Sequence, residues 1–590
     1  MLGNIIGFYD GKLILKLAID LHKFQNIVDL YVLIKDQNIQ YVGEITSIKD
    51  DCAFISLMGI IENNKYVSGV IATPSFGSSV SLLSKEQVKS IISVNNYSER
   101  EHIFLGESAI YDGVIVGTSI NSFFSNHFSV LGSTGSGKSS FIARTLQNLF
   151  TKQHSIAYKS SFFLFDAYGE YHNFFKSLIQ KGNELNFKAY TTDTLSKDVE
   201  LIKIPLWLLS LDDYALLLDV QNVSQLPIIE KALKFVSIFS KDENEVMKSK
   251  NDVIARAILD LLSSGKSAAQ IRDQVLSLLT RFHTSEFNLE TPVFQPGYTR
   301  SFRQCLLIDA NGKIRDIELL ITFVEKYLYE EYEMYMPDGS FKYTLDDLKD
   351  AFDFALISEG SMQSAKVYDD YNLIRVRLHT LASSKERIFF DCDEYITKTQ
   401  YIRNLLTAPN GKKAQIINFS INYVDDRLAK NIVKIYSKIL FDYSKDTIKR
   451  NSLPFHIILE EAHRYIQDDT DKKILQYNIF ERIAKEGRKY GVLLGLITQR
   501  PSELSETVMS QCSNFITFKM VHPKDIEFIR GMIPNMSTEW ITKIKFLSPG
   551  MCVAFGSAFN LPIMMKVTMP EPRTENDNCN LSEVWFVDVG

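Results

Sequence analysis

The chain has 590 residues, 45% hydrophobic and 23% charged, with a formal net charge of −6. That length exceeds what one hydrophobic core supports, because domains usually run to about 100–200 residues, so several units are expected. The composition excludes extended disorder, and the acidic balance lends no support to a protein that coats nucleic acid with its whole surface, although a ring can hide a basic channel inside an acidic exterior.

Residues 1–92 read as short strands. The segment 41–48 is extended, Lys49, Asp50 and Asp51 supply a turn, and 53–57 alternates again. Glycines at 7, 11, 43, 59, 69 and 77 punctuate the segment, which suggests a small barrel or sandwich. The pattern then changes. Residues 127–131 form a short strand entering a glycine-rich loop, 139–150 have helical character, and 161–165 form a second strand ending at Asp166. Strand, loop, helix and strand in that order begin a parallel α/β sheet.

Residues 205–394 look mostly helical. Ile271, Val275, Leu278 and Leu279 fall on one helical face, and Ser267 followed by Gln270 resembles a capping box at its start. This block reads as an insertion into the sheet domain, which would comprise 93–204 and 395–569. Strand signals resume at 414–419, 455–459, 492–498 and 515–518, as near-continuous apolar runs suited to parallel strands buried on both faces. Residues 570–590, with Pro570, Pro572 and a polar run over 574–580, look like an extended tail. The six cysteines form no Cys-x-x-Cys pair, the start lacks a basic n-region, and no apolar run approaches the ~20 residues that span a bilayer. A cytoplasmic protein with no membrane association is expected.

The chemistry concentrates at two places. Gly132, Ser133, Thr134, Gly135, Ser136, Gly137, Lys138 and Ser139, followed by Ser140, match the Walker A pattern. The glycines let backbone N–H groups converge on phosphate oxygens, and the following helix points its positive end at the same place. Lys138 would reach the β- and γ-phosphates of ATP, and the Ser139 hydroxyl would bind Mg²⁺. Residues 455–461 are an apolar strand ending in Glu460 and Glu461, which resembles Walker B. Glu460 would hold the Mg²⁺ shell and Glu461 would polarise the attacking water. Glu460 stands where Asp is usual.

Gln499 ends the next strand, where a side chain can sense the γ-phosphate. Asp166, with Gly169, Glu170 and Tyr171 after it, could touch the metal shell or a loop near the phosphates. The charged segment 481–489 is either a solvated helix face or the source of an arginine finger for a neighbouring subunit, Arg488 or Arg482. No Lys or Arg lies between Glu101 and Lys138, so the segment before the loop provides none.

Together these residues resemble HerA, the hexameric P-loop ATPases and DNA translocases related to FtsK. The resemblance includes Val67-Ser68-Gly69 and Pro74-Ser75-Phe76-Gly77 in the N-terminal segment, Phe165-Asp166 with Gly169-Glu170-Tyr171, and Glu460-Glu461-Ala462-His463. It extends to residues 481–491, Gln499-Arg500-Pro501-Ser502, Leu547-Ser548-Pro549-Gly550 and residues 554–557. It implies a RecA-like parallel-sheet ATPase domain, an N-terminal β-barrel over 1–92 and a homohexamer with ATP between neighbours and duplex DNA through the pore. Archaeal members work with the nuclease NurA. Bacterial members are often paired with a nuclease or a sirtuin-like NADase in anti-phage defence. Lys485 stands where the family often has Arg.

A translocating motor is therefore expected, with a scaffold that assembles and regulates an effector as the alternative. The barrel, whose lysines and acidic residues nearly balance, is expected to dock the partner through apolar side chains such as Ile60, Ile61, Tyr66 and Phe76.

Overall fold

A computed structural model of the chain describes residues 1–19, 27–37, 39–63, 65–93, 98–241, 243–329, 335–359, 365–447, 449–450, 452–467, 471–532, 538–574, 581 and 585. The chain divides into two compact units, one comprising 1–200, 405–468 and 478–590, the other 201–404 and 469–477.

In the first unit, the strands Gly3–Tyr9, Lys12–Leu17, Tyr31–Asp36, Ile39–Lys49, Cys52–Glu62 and Ser79–Leu82 close into an antiparallel barrel, with Lys65–Ser68 paired to the outside of Cys52–Glu62. The alternation of side chains along a strand explains how the barrel is anchored. On Tyr31–Asp36, Val32 and Ile34 point into the barrel core, while Tyr31 and Leu33 join the core of the adjoining sheet. The strand reading of 1–92 misses one element: Lys85–Ile92 is a helix, with Ser84 and Gln87 forming a reciprocal capping box. Its Val88, Ile91 and Ile92 pack into that same sheet core.

A buried polar cluster makes a second attachment. Glu44, 2% exposed, accepts from Trp540 Nε1 at 3.2 Å and pairs with Lys543 at 3.1 Å. Lys543 also pairs with Asp29 at 2.9 Å and lies 4.2 Å from the Trp540 ring centroid. Burial raises the Glu44 pKa, opposed by Lys543.

The large sheet has eleven strands of four or more residues among the described residues. Seven run parallel, in the order Phe187–Thr191, Ile416–Ser420, Ser161–Asp166, Phe455–Leu459, Val492–Thr498, His127–Leu131 and Cys512–Phe518. Beyond Cys512–Phe518 the antiparallel strands Met551–Gly556, Ile563–Lys566, His102–Ser108 and Ile115–Ser119 extend it. The apolar runs read as parallel strands are therefore the sheet centre, while the strands at 102–108, 115–119, 187–191, 551–556 and 563–566 have no counterpart in the sequence reading. The Val492–Thr498 strand lies between the strand leading to the glycine-rich loop and the strand ending in Glu460 and Glu461, so three chemistry-bearing strand ends sit side by side.

The second unit is mainly helical. The Ser267–Gln270 box caps Ala268–Phe282, whose Ile271, Val275, Leu278 and Leu279 are buried as their spacing requires. Phe235, Phe239, Phe282 and Phe354 form an aromatic cluster. The hairpin of Pro292–Gln295 and Tyr298–Ser301 interrupts the helices.

Of the expected tail, residues 570–574 are described, and the Glu571 backbone exchanges hydrogen bonds with the Gln147 side chain. The polar run from 575 to 580 lies outside the described residues. No described helix is long and apolar enough to cross a membrane.

Candidate functional site

The glycine-rich loop runs from the His127–Leu131 strand into the Lys138–Phe150 helix. Its conformation excludes side chains at two points. Gly132 has φ +155°, and a Cβ there would lie 2.6 Å from Phe518 Cβ; Gly137 has φ +115° and would meet Phe518 Cε1 at 3.1 Å. Neighbouring strand ends brace the loop. Gly132 N–H donates to the Thr498 carbonyl, Ser133 N–H and Oγ both donate to the Lys519 carbonyl, and Gly550 N–H donates to the Ser136 carbonyl. The Leu547–Gly550 motif thus has a physical role as a prop beneath the loop. Lys138 is 8% exposed and its Nζ donates to the Ser133 carbonyl at 3.0 Å. Burial lowers its pKa, opposed by Glu461, Glu460 and Glu170.

Glu460 and Glu461 follow the Phe455–Leu459 strand and are both buried. The longer side chain of Glu460 finds partners for both oxygens: Ser139 Oγ donates to Oε1 at 3.3 Å and Ala167 N–H donates to Oε2 at 3.1 Å. Burial raises its pKa well above the usual carboxylate range, reinforced by Asp166 and Glu170. Glu461 adopts a left-handed backbone, φ 47° and ψ 49°, which costs a non-glycine residue roughly 1–2 kcal/mol. This turn ends the strand and brings the Glu461 carboxylate within the field of Lys138 and Arg464, which partly offset the upward pKa shift caused by burial.

Asp166 does not serve as an open metal ligand. Its Oδ1 accepts backbone N–H bonds from Tyr168, Gly169 and Glu170, and its Oδ2 accepts from Tyr171. The carboxylate is spent on folding the 167–171 turn. That turn delivers two side chains absent from the expected site. Glu170 stands beside the Ser139 hydroxyl, which opposes a pKa rise due mainly to burial. Tyr168 stands beside Glu461 and opposes its upward pKa shift.

Gln499, at the end of the Val492–Thr498 strand, meets the loop directly, with Thr134 Oγ1 donating to its Oε1 at 2.5 Å. Arg488 lies elsewhere in its own chain. It is exposed, makes no ion pair among the described residues, and exerts its field on His127, at the start of the strand that ends in the loop. Five residues at about 3.3 Å each separate that end from the phosphate site, roughly 17 Å. Arg482 is held within its own unit, 3.9 Å from Glu486 and stacked over Phe441.

The described residues contain no cluster of three or more acidic, His or Cys side chains arranged to hold a metal by themselves. Mg²⁺ takes few protein ligands and completes its shell with phosphate and water, so a serine and one carboxylate suffice. Ser139 and Glu460 fit that role, and the surrounding Glu170, Glu461 and Asp166 supply an excess of negative charge over Lys138.

The charge excess predicts a stability effect. Between its ordinary pKa of 4.5 and its raised folded value, Glu460 holds a proton in the folded chain that the unfolded chain releases, so stability falls as pH rises through that window. Glu460→Gln removes this loss. In EDTA its melting temperature should exceed the parent's at pH 8, by roughly 1 °C per kcal/mol regained in a unit of this size, and the gap should shrink toward pH 4.5. A lower melting temperature at pH 8 would contradict the charge assignment.

Residues 103–302 match the family model described as the central domain of the helicase HerA. The DNA double-strand break repair helicases HerA of Sulfolobus acidocaldarius and Sulfurisphaera tokodaii are 30% and 32% identical over 176 and 177 residues, 29% of this chain and 35% of theirs in each case. The matched segment thus spans about a third of those relatives' length. The probable DNA double-strand break repair helicase HerA of Methanocaldococcus jannaschii is 21% identical over 533 residues, 90% of this chain and 88% of that protein.

Proposed function

Taking the chain as a HerA-type P-loop ATPase, we propose that it hydrolyses Mg-ATP between the subunits of a homohexamer and uses the cycle to move or unwind duplex DNA passing through the pore. The observation that carries the reading is the meeting of Lys138, Ser139, Glu460, Glu461 and Gln499 at three adjacent strand ends. The loop's backbone N–H groups and helix end bind the phosphates. Lys138 turns from the Ser133 carbonyl to the β- and γ-phosphates. Glu461 accepts the proton of the attacking water, and Gln499 orients the γ-phosphate through its amide. Mg²⁺ held by Ser139 and Glu460 would neutralise phosphate charge.

The DNA substrate rests on the relatives' printed role in double-strand break repair. We further propose a cytoplasmic setting and a partner, a NurA-like or other nuclease or a sirtuin-like NADase, in DNA processing or anti-phage defence. The barrel face is the proposed dock, but the side chains differ from those expected. Ile60 packs against the barrel core and Ile61 and Tyr66 against the sheet core, whereas Phe76 is exposed together with Ile71, Val67 and Phe8.

The test is steady-state hydrolysis with and without linear duplex DNA. A motor is stimulated by DNA. A rate indifferent to DNA would replace this reading with that of a scaffold that regulates its partner.

A further inference from the structure

Glu461 leaves one polar atom unaccounted for. It is 6% exposed, and its Oε2 has no hydrogen-bond partner among the described residues. The ring of His463 stands beside it, with Nδ1 3.3 Å from Oε2, close enough for attraction but not aligned as a hydrogen bond. The same nitrogen lies 3.0 Å from Thr498 Oγ1. The left-handed turn at Glu461 and the single 3-10 turn Ala462–Arg464 bring the two side chains to one side of the chain.

Thr498 connects this pair to the phosphate site. It is fully buried, its carbonyl receives the Gly132 N–H, and its hydroxyl receives the Arg500 N–H at 3.0 Å. The next residue is Gln499, bonded to Thr134. One imidazole nitrogen therefore faces two oxygens, and one of them belongs to a carboxylate, which can only accept while ionised. That setting selects the tautomer with hydrogen on Nδ1. Burial lowers the pKa of His463, with Arg500, Arg464 and Lys138 acting in the same direction against Glu503, so a neutral ring is favoured.

We infer that His463 is a positioning residue for hydrolysis: its Nδ1–H fixes the Glu461 carboxylate relative to the strand end carrying Thr498 and Gln499. The inference rests on Glu461 being the base. A hydrogen bond that is long in the empty site shortens when the reacting groups are assembled. The bond serves orientation rather than nucleotide affinity, because His463 stands behind Glu461 and makes no bond to the loop itself.

The test compares His463→Phe, which keeps the ring volume without a donor, with His463→Asn, whose amide N–H replaces Nδ1–H. Single-turnover hydrolysis, the Kd for a slowly hydrolysed ATP analogue and the melting temperature are measured for each. The phenylalanine variant is expected to lose roughly 10²-fold in the hydrolysis rate constant, the scale of a misplaced reacting group, with an unchanged analogue Kd. The asparagine variant should recover most of the loss. Should the phenylalanine variant misfold, His463→Ala, which opens space rather than filling it, must show the same selective loss.

Parent-like hydrolysis in a variant lacking the donor overturns the inference, as does an asparagine variant as slow as the phenylalanine one. Glu461→Gln is run in parallel to separate the two claims. Parent-like turnover there overturns the base assignment and this inference with it. Loss there beside parent-like His463→Phe overturns the inference alone.

Discussion

Glu461→Gln is expected to lower hydrolysis by about 10²–10⁴-fold, the usual contribution of a positioned general base, while ATP binding stays close to the parent's. The substitution keeps the shape and the left-handed turn at 461 but removes the charged acceptor. Two surrounding groups make the carboxylate suitable for the task. Burial raises its pKa, and Lys138 and Arg464 oppose that rise and favour the ionised acceptor. Nucleotide binding depends instead on the loop, which the Thr498, Lys519 and Gly550 backbone groups hold in place independently of Glu461. Binding of ATP analogue by calorimetry and release of phosphate by steady-state assay separate the two effects. A variant that hydrolyses at the parent rate would transfer the base role to Glu460 or Glu170.

Arg488→Ala should lower hydrolysis by roughly 10³–10⁵-fold if Arg488 is the finger, the range found where an arginine stabilises charge developing in phosphoryl transfer. The geometry explains why such a residue would act across a boundary. Arg488 lies near His127, the far end of its own loop-bearing strand, so its guanidinium does not reach the phosphates beside its own Lys138. Arg482, the rival, already pairs with Glu486 and stacks on Phe441. Mixing Arg488→Ala subunits with Lys138→Ala subunits distinguishes the cases. Some interfaces in mixed rings would carry both intact groups and regain activity. No recovery in rings proven to be mixed would return the role to one subunit, or to Arg482.

What the sequence disclosed, and what it withheld, follows from how local each feature is. The strands at 455–459 and 492–498 were legible to the residue because a parallel strand covered on both faces is an uninterrupted apolar run. The glycine-rich loop was legible because its chemistry is written in eight consecutive residues. Glu170 was present in the text but not in the site, since its place there depends on Asp166 gathering four backbone N–H groups to fold the turn back toward Ser139. His463 depends likewise on the left-handed residue before its 3-10 turn. On the barrel, Ile60, Ile61 and Tyr66 read as interface from the sequence because an apolar side chain on a strand looks the same whether it faces a partner, the barrel core or a second core. Here two cores share the barrel wall. The Lys85–Ile92 helix carried its capping box in plain view, but eight residues give too few turns for periodicity to stand out from the strands before them.

The measurement that bears most directly on the account is phosphate release from Mg-ATP by purified parent protein and by Lys138→Ala, each assayed with and without linear duplex DNA. Lys138 is the buried cation at the loop and has no nearby lysine or arginine in the preceding segment to replace it. The account predicts hydrolysis by the parent, faster with DNA, and none by Lys138→Ala in either condition. Hydrolysis by Lys138→Ala at the parent rate would contradict it.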